Sequence, residues 1–470
     1  MIYNPDNQYR CSIIRGKSQS DMEDLLPLYA KMVNDICPCN KDLFQQYSFS
    51  LLSKALFQNS DFNTLPEANK KTVRNHFTEI AGKLLGLYHI DCEGYVEKTE
   101  VCSFLLENND YPAFFKNLCL RFQFPNGTKK ESAIIKEIED KVRFKPYCFV
   151  IALLFYAQLQ EEKILLTKQE IGYYVLNNLD VLKGYVSYQD VYEQIVKDRK
   201  ARRKKPQLSG SYDWQHIKEQ FNMLELTNMI QQDRDYIWLN KDEEKSIKIF
   251  IKHLEEPYFE ISKYNLFNQT DKKQMYSDWA KYYSTLNAEL ASISTDFTST
   301  SDIADKSDLV MQRGAVGLST VELGDKGEAF VYNLERERVY NYKPRLVNKV
   351  LLLGKTKGLG YDISSIEADE NPTKPEFARY IEVKSTKRIT EPSFDRTWMD
   401  SLDITSKEWV AAEQYGEYYN IYRVYFTKNK TIVVRIKNPF QKSKDGEIEV
   451  YPTIYKMNFD AKVIEKRYAQ

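Results

Sequence analysis

The sequence predicts a multidomain protein that is mainly α-helical in its N-terminal part and α/β in its C-terminal part. The chain has 470 residues, more than one ordinary hydrophobic core accommodates. Through residues 1–205, apolar residues recur at the three- and four-residue spacing that amphipathic helices require. After residue 300 the pattern changes to alternating helix-like and strand-like segments. We therefore expect domains at residues 1–205, 206–300 and 301–470.

The composition is typical of a globular chain, with 42% apolar and 29% charged residues. Lysine plus arginine and aspartate plus glutamate each total 67, so any basic surface must be local. No apolar run reaches membrane-spanning length, and the start of the chain lacks the apolar core of a signal peptide. We therefore expect a cytoplasmic protein with no membrane partner.

The cysteines and histidines give little support to a zinc site. All seven cysteines fall in the first third of the chain, none forms a C-x-x-C pair, and the four histidines are widely scattered. The sequence therefore predicts buried, reduced thiols. For the same reason, no serine or cysteine has an evident histidine partner for nucleophilic catalysis.

Three helix-rich units are predicted before residue 300. Residues 71–108 and 211–254 each read as a helix, a short β-like stretch and a second helix. Between them, residues 145–179 contain a long apolar helix, followed by a capping box in which Thr167 is the N-cap and Glu170 is N3. Such units are typical of winged-helix or helix-turn-helix modules that read DNA, with a purely structural helical scaffold as the alternative.

A basic run lies between the second and third of these units. Seven of the ten residues 197–206 are lysine or arginine. Most such runs are solvated helix ends, but beside helices predicted to read DNA a phosphate contact is the stronger interpretation. The residues predicted to bind DNA are Arg199, Lys200, Arg202, Arg203, Lys204 and Lys205. Residues 285–310, rich in serine, threonine and aspartate, are predicted to form a linker.

The C-terminal domain is predicted to alternate helices and strands. A helix is expected to begin near Asp325, with Glu328 three residues later in a capping arrangement. A second capping box, Thr405 with Glu408, opens a helix that Gly416 ends. The strand-like segments are NKVLLLGKTKG, LGYDISSIEA, RYIEVKSTKR, EYYNIYRVYF and KTIVVRI.

Two partial motifs in this domain are set aside. Gly354-Lys355-Thr356 resembles the end of a phosphate-binding loop, but the first glycine of that motif is replaced by Lys349. Asn438-Pro439-Phe440 is similar to a methyltransferase tetrapeptide, yet no glycine-rich cofactor loop follows a strand upstream. We therefore expect neither ATP nor S-adenosylmethionine as a cofactor.

A candidate metal site is formed by Asp362 on one predicted strand and Glu382-x-Lys384 on the next. Alternate residues of a strand share a face, so Glu382 and Lys384 point to the same side. Two carboxylates suit Mg²⁺, and an ammonium beside the metal can orient water and stabilise a pentavalent phosphate. Glu328 could add a carboxylate from the preceding helix. Taken singly, Asp362 would be a turn residue, Glu382 and Lys384 a surface ion pair, and Glu328 a helix cap.

This arrangement resembles the PD-(D/E)xK nuclease superfamily, and more specifically the C-terminal domain of NO VEIN-type proteins and their Mrr-like relatives. The resemblance covers the last third of the chain. It is carried by Gly327-Glu328, Gly360-Tyr361-Asp362-Ile363, Tyr380 to Ser385, Thr405-x-x-Glu408-Trp409, and Tyr418 with Tyr422. Tyr361 stands where the superfamily name has proline. More loosely, VRFKPYCFVIALLFYAQL and LLTKQEI resemble the recognition half of AlwI-type restriction endonucleases.

The resemblance implies a restriction-endonuclease-like fold for residues 301–470, with Asp362, Glu382, Lys384 and Glu328 as catalytic residues. Asp362 and Glu382 would hold Mg²⁺, for which Mn²⁺ could substitute. The predicted function is a type II restriction or anti-phage DNA endonuclease, bacterial and nucleoid-associated. Its expected partners are double-stranded DNA, a second copy at least on DNA, and a separate methyltransferase. The alternatives are a modification-dependent nuclease and a DNA-binding scaffold with an inactive nuclease fold; RNA also remains open as a substrate.

Overall fold

The computed structural model describes residues 18–160, 165–202, 211–256, 258–293, 320–354, 356, 358–395 and 398–450. The helices of the N-terminal part are α1 Gln19–Asn34, α2 Lys41–Leu56, α3 Glu67–Asn75, α4 Glu100–Asn108, α5 Tyr111–Arg121, α6 Glu131–Glu139, α7 Pro146–Leu159, α8 Lys168–Ile171, α9 Leu179–Leu182, α10 Tyr188–Lys200, α11 Ser211–Glu225, α12 Glu244–Lys252, α13 Gln269–Tyr283 and α14 Ala288–Ala291. The helices of the C-terminal part are α15 Thr320–Tyr342, α16 Ser406–Tyr415 and α17 Pro439–Lys444.

The strands are β1 Cys39–Asn40, β2 Tyr88–Ile90, β3 Tyr95–Lys98, β4 Leu166–Thr167, β5 Ile230–Asp233, β6 Tyr236–Leu239, β7 Leu351–Leu352, β8 Ile363–Ile366, β9 Ala378–Lys387, β10 Tyr419–Phe426 and β11 Thr431–Lys437. Two helices continue as π-helical turns, His76–Leu84 after α3 and Gly172–Leu176 after α8. These elements confirm the predicted helix-rich N-terminal part and a C-terminal part built on a sheet.

The first N-terminal unit surrounds a small antiparallel sheet of order β1-β3-β2. The N-cap residues are Ser18 for α1 and Asn40 for α2. Each side chain accepts a hydrogen bond from a backbone N–H of the first turn that has no partner within the helix. Aromatic side chains fill the space beneath the sheet, where Phe44 and Phe77 both pack against Tyr88. The sheet therefore closes a helical unit, as the sequence predicted for this region.

The second and third predicted units form a single unit. Strand β4 pairs with β6 through Leu166↔Ile237, and the sheet has the order β4-β6-β5. The predicted boundary between residues 205 and 206 therefore lies between strands of one three-stranded sheet. Sequence periodicity could not join them, because the pairing connects strands that lie far apart along the chain. The capping box of Thr167 and Glu170 is confirmed at the start of α8.

The C-terminal sheet has five strands in the order β11-β10-β9-β8-β7. The central strand β9 runs antiparallel to β8 and parallel to β10. Helix α15 packs on one face of β9, where Gly327 lies against Val383 and Ser385. Helix α16 packs against β10, and its Glu408 reaches Lys384 on the opposite face of β9. Layers of helix on both faces leave the centre of this sheet buried.

The end of β9 is bound to the N-terminal part by buried polar contacts. Arg388 Nη2 donates to Asp24 Oδ1 at 2.6 Å, and the N–H groups of Ile389 and Thr390 donate to the Glu23 carboxylate at 2.7 and 2.8 Å. Glu23 is fully buried and Arg388 is 2% exposed. Because buried charges are stable only when they are paired, these contacts fix the two halves against each other.

The described cysteines, which exclude Cys11, are free thiols. Within the described ranges, no helix is long and apolar enough to cross a membrane.

Candidate active site

Glu328 lies in the interior of α15. The predicted helix start near Asp325 was wrong, because α15 already begins at Thr320. Glu328 is therefore not a first-turn cap, and its carboxylate lies against Gly354, just after β7. The backbone N–H of Leu353 donates to the Asp362 carbonyl at 2.6 Å, so Glu328 lies on the Asp362 side of the domain.

Asp362 immediately precedes β8, one residue short of the strand on which it was predicted. Register nevertheless places it beside Glu382, because Ile363 pairs with Ile381 in the antiparallel ladder. The Asp362 N–H donates to the Ile381 carbonyl at 2.9 Å. In return, the Val383 N–H donates to Asp362 Oδ2 at 2.8 Å. The carboxylate is thus fixed next to the polar face of β9.

Two carboxyl groups contact the Lys384 ammonium. Glu382 Oε1 lies 2.8 Å from Lys384 Nζ, and Glu408 Oε2 lies 2.9 Å from the same nitrogen. The β8–β9 register places Asp362 beside Glu382, so a third carboxyl group lies next to this pair. The Glu382 side chain is 5% exposed and that of Lys384 is 21% exposed. The polar face of β9 is therefore a partly enclosed ion cluster rather than a solvated edge.

The cluster carries more negative than positive groups. Burial raises the pKa of Glu382 to about 9, with Asp362 and Glu408 adding to the shift and Lys384 opposing it. Burial also raises the pKa of Asp362, against the hydrogen bond from Val383. Burial acts to lower the pKa of Lys384, but Glu382 and Glu408 outweigh it and raise that pKa. Excess negative charge in a buried cluster is neutralised either by a proton on one carboxylate or by a bound cation.

The donor chemistry of the site fits a hard divalent cation. Asp362 and Glu382 offer carboxylate oxygens from adjacent strand positions, and Mg²⁺ commonly takes one or two carboxylates with substrate phosphate and water. Across the described ranges, no group of three or more histidine, cysteine, aspartate or glutamate side chains is placed to hold one metal ion. The assignment of Glu328 as a catalytic residue stays a prediction.

Gly360 brings α16 against the segment that carries Asp362. Its φ is +74°, and a Cβ atom there would lie 2.7 Å from the Lys407 carbonyl oxygen and 2.8 Å from Ala411 Cβ. The Tyr419 hydroxyl donates to the Gly360 carbonyl at 2.9 Å, tying β10 to the same point. Glycine is therefore required here by both conformation and space.

Gly360→Ala is expected to destabilise the C-terminal domain. The positive φ alone costs roughly 1–2 kcal/mol for a residue with a Cβ atom, and displacement of α16 adds to this. Gly446→Ala is the matched control, because Gly446 has the same φ of +74°, whereas a Cβ atom added there would meet no atom within 4 Å. Thermal unfolding should show a larger loss for Gly360→Ala; equal losses would contradict a tight contact with α16.

The basic run is only partly described. Arg199 lies in α10, where its guanidinium donates to the Glu170 carboxylate at 2.6 and 2.8 Å and to the Leu165 carbonyl at 2.8 Å. That arginine therefore joins α10 to α8, and a phosphate would compete with Glu170 for it. Lys200 ends α10, and Arg202 is exposed just beyond it. The predicted DNA-binding residues Arg203, Lys204 and Lys205 lie outside the described residues.

Glu408 is the site residue that sequence reasoning missed. The sequence predicts it as the N3 member of a capping box and as part of a motif that carries the nuclease resemblance, without a role in the site, and the box with Thr405 is confirmed. Its contact with Lys384 spans 24 positions of sequence and depends on how α16 packs. The signal in the sequence is its place in the motif Thr405-x-x-Glu408-Trp409, which follows Glu382-x-Lys384 along the chain.

Comparisons with known proteins support the division of the chain into two parts. Residues 327–436 match the family model described as "Protein NO VEIN, C-terminal", which confirms that part of the predicted resemblance. A solved structure titled "Crystal structure of pyrene- and phenanthrene-modified DNA in complex with the BpuJ1 endonuclease binding domain" is 37% identical, with a TM-score of 0.55. The match covers 60% of this chain and 100% of that chain. No curated protein matches the chain.

The upstream match identifies the family. Residues 3–280 match the model described as "Restriction endonuclease BpuJI - N terminal", whereas the predicted likeness to AlwI-type enzymes stays a prediction. Since this match spans more than half of the 470 residues, the chain belongs to the BpuJI N-terminal restriction endonuclease family.

Proposed function

We propose that this protein is a Mg²⁺-dependent DNA endonuclease, of the type II restriction or anti-phage class. The observation that carries the proposal is the cluster of Asp362, Glu382 and Lys384, in which two carboxylates and an ammonium meet on adjacent strand positions. These are the groups that phosphodiester hydrolysis with a hard cation needs. The match of the surrounding domain to the NO VEIN C-terminal family supports a PD-(D/E)xK nuclease fold.

The N-terminal part is proposed to bind duplex DNA. The similar solved structure is described as an endonuclease binding domain in complex with modified DNA. In this chain, the two units with sheets β1-β3-β2 and β4-β6-β5 each combine helices with a three-stranded sheet, consistent with winged-helix-like modules. The basic run at residues 197–206 supplies a further candidate for phosphate contact.

The roles of the site residues follow from their contacts. Asp362 and Glu382 would hold the Mg²⁺ ion, which when bound polarises the scissile phosphate and lowers the pKa of water. Lys384 supplies a positive charge next to Glu382, where it can orient the attacking water and stabilise negative charge on the phosphate. Partial burial of the site lowers the local dielectric constant and strengthens each of these interactions. Cutting both strands with one site per chain implies a dimer on DNA.

Cleavage of supercoiled plasmid tests the proposal. With Mg²⁺ or Mn²⁺ the wild type should nick or linearise the plasmid, and EDTA should stop it. Asp362→Asn should lower the rate roughly 10²-fold or more, because a metal ion supplies several kcal/mol of charge stabilisation. Asp403→Asn, at an exposed position shortly before α16, is the control that should cleave like the wild type.

The substrate panel separates the proposed function from its rivals. Plasmids with and without modified bases distinguish a restriction enzyme from a modification-dependent nuclease. A structured RNA in the same assay tests whether DNA is the substrate. If the wild type binds DNA but cleaves no substrate with either metal, the protein is a DNA-binding scaffold and the endonuclease proposal fails.

A further inference from the structure

Glu408 makes two contacts through one oxygen atom. Its Oε2 accepts the backbone N–H of Thr405 at 2.9 Å and lies 2.9 Å from Lys384 Nζ. The first contact is the return half of the capping box that starts α16. The Glu408 oxygen that contacts Lys384 is therefore held at the N-terminal end of α16 by a backbone hydrogen bond. The Glu408 side chain is not free to rotate.

A second carboxylate contact is needed to hold the Lys384 side chain in a single conformation. A lysine ammonium is a point charge at the end of a flexible four-carbon stem, and a single carboxylate leaves it several rotamers. Glu382 and Glu408 approach Nζ at 2.8 and 2.9 Å, and together they restrict it to the space between β9 and α16. The resulting position is beside Glu382, a proposed metal ligand.

The neighbouring cation on the sheet has its own carboxylate. Arg423 is the β10 partner of Lys384 in the parallel ladder, so the two side chains lie on the same face. Its guanidinium is paired with Asp400 at 2.7 Å, and the Tyr425 hydroxyl also donates to Asp400 at 2.7 Å. Asp400 therefore pairs with Arg423, and Glu408 pairs with the adjacent Lys384.

The anchoring of α16 makes this contact rigid. Gly360 allows the helix to touch the Asp362 segment at Lys407 and Ala411. Burial opposes ionisation of Glu408, but Lys384 and Thr405 outweigh it, and the pKa of Glu408 is lowered. Glu408 is therefore a charged group that is already in place before substrate arrives.

We propose that Glu408 is a positioning residue, which fixes the Lys384 ammonium over the Glu382 carboxylate for the hydrolytic step. This inference rests on the proposed endonuclease function and assigns Glu408 a role in that site. Glu408 contacts the lysine rather than the reacting atoms. It is also not part of a three-residue metal ligand group in the described part of the chain.

The first test separates catalysis from binding. Glu408→Gln should lower kcat on plasmid DNA roughly 10- to 100-fold with KM unchanged, because misplacement of a catalytic group by about 1 Å costs that much. Glu413→Gln, an exposed position on the same helix, is the control and should cleave normally. A rise in KM without a fall in kcat, or wild-type kinetics, would overturn the inference.

The second test measures the lysine itself. Acetic anhydride labelling followed by mass spectrometry should modify Lys384 several-fold faster in Glu408→Gln than in the wild type. Thr405→Ala should instead lower the melting temperature through loss of the cap, with a smaller change in labelling. If Glu408→Gln does not fold, Glu408→Asp, which keeps the charge on a shorter side chain and so withdraws it from Lys384, replaces it.

The two tests distinguish the two claims. Unchanged labelling of Lys384 overturns the positioning role, whatever the cleavage rates. A wild type that cleaves no nucleic acid overturns the endonuclease function, and with it the catalytic purpose assigned to Glu408. Faster labelling together with reduced kcat supports both.

Discussion

Lys384→Ala is expected to lower plasmid cleavage roughly 10²–10³-fold while leaving DNA binding intact. Lys384 is the positive side chain in contact with both Glu382 and Glu408, at 2.8 and 2.9 Å. Its removal takes away the ammonium that stabilises negative charge on the phosphate, for which losses of roughly 10²–10³-fold in kcat are typical of a single electrostatic group. It also removes the ammonium that contacts both Glu382 and Glu408, and with it the group proposed to orient the attacking water.

The measurement is plasmid cleavage with Mg²⁺, accompanied by DNA binding and thermal unfolding of the same variant. Lys407→Ala is the control, because the Lys407 side chain is exposed on α16 close to the site. Equal cleavage by wild type and Lys384→Ala would remove Lys384 from the mechanism. Loss of DNA binding together with cleavage would show that the substitution acts on folding or recognition instead.

Arg388→Met is expected to destabilise the contact between the two halves by roughly 3–5 kcal/mol, the cost of leaving a buried charge without its partner. Arg388 is 2% exposed and donates to Asp24, and its Nε lies 3.7 Å from the fully buried Glu23. Methionine fills similar volume, so the loss reports on charge rather than on a cavity. Chemical denaturation or thermal unfolding measures it.

A surface ion pair provides the control for this prediction. Lys430→Met breaks the exposed pair with Glu391, whose side chains are 56% and 44% exposed, and should cost below about 1 kcal/mol. Adding Asp24→Asn to Arg388→Met should recover part of the stability, because one unpaired charge is removed. Similar losses for Arg388→Met and Lys430→Met would contradict a buried interface.

The folding stability of the Arg388→Met variant should also depend more strongly on pH than that of the wild type. Burial raises the pKa of Glu23, and the Arg388 guanidinium opposes this shift. Without Arg388 that pKa rises further, so the folded state holds a proton that the unfolded state has lost above about pH 4.3. Stability then falls as pH rises through this window, and the deficit relative to wild type should grow in the same direction.

The local pattern of β9 was predictable from the sequence. Strand alternation placed Glu382 and Lys384 on one face, and the structure has them 2.8 Å apart on that face. The helix starts at Thr167 and Thr405 were equally predictable, since capping depends on residues within one turn. The start of α15 was not, because the predicted cap at Asp325 lies inside a helix that continues from Thr320.

Contacts between segments that lie far apart along the chain could not be predicted from the sequence. The pairing of β4 with β6, the meeting of Glu408 with Lys384, and the contact of Glu23 with Ile389 across 366 positions each depend on how elements pack. Periodicity and capping report on neighbours along the chain, whereas these contacts are selected by burial and strand register.

The sequence by itself determined the helix-rich and sheet-containing halves, the strand RYIEVKSTKR and the polar face that carries Glu382 and Lys384. Only the tertiary structure decided that Asp362 and Glu408 close around that face, and that the next residues of the chain, from Lys387 onward, bind the N-terminal part. The physical reason is that the alternation of side chains along β9 depends only on neighbouring residues. The charged partners of those side chains come from distant segments, which strand register and the packing of α1, α5 and α16 bring to β9.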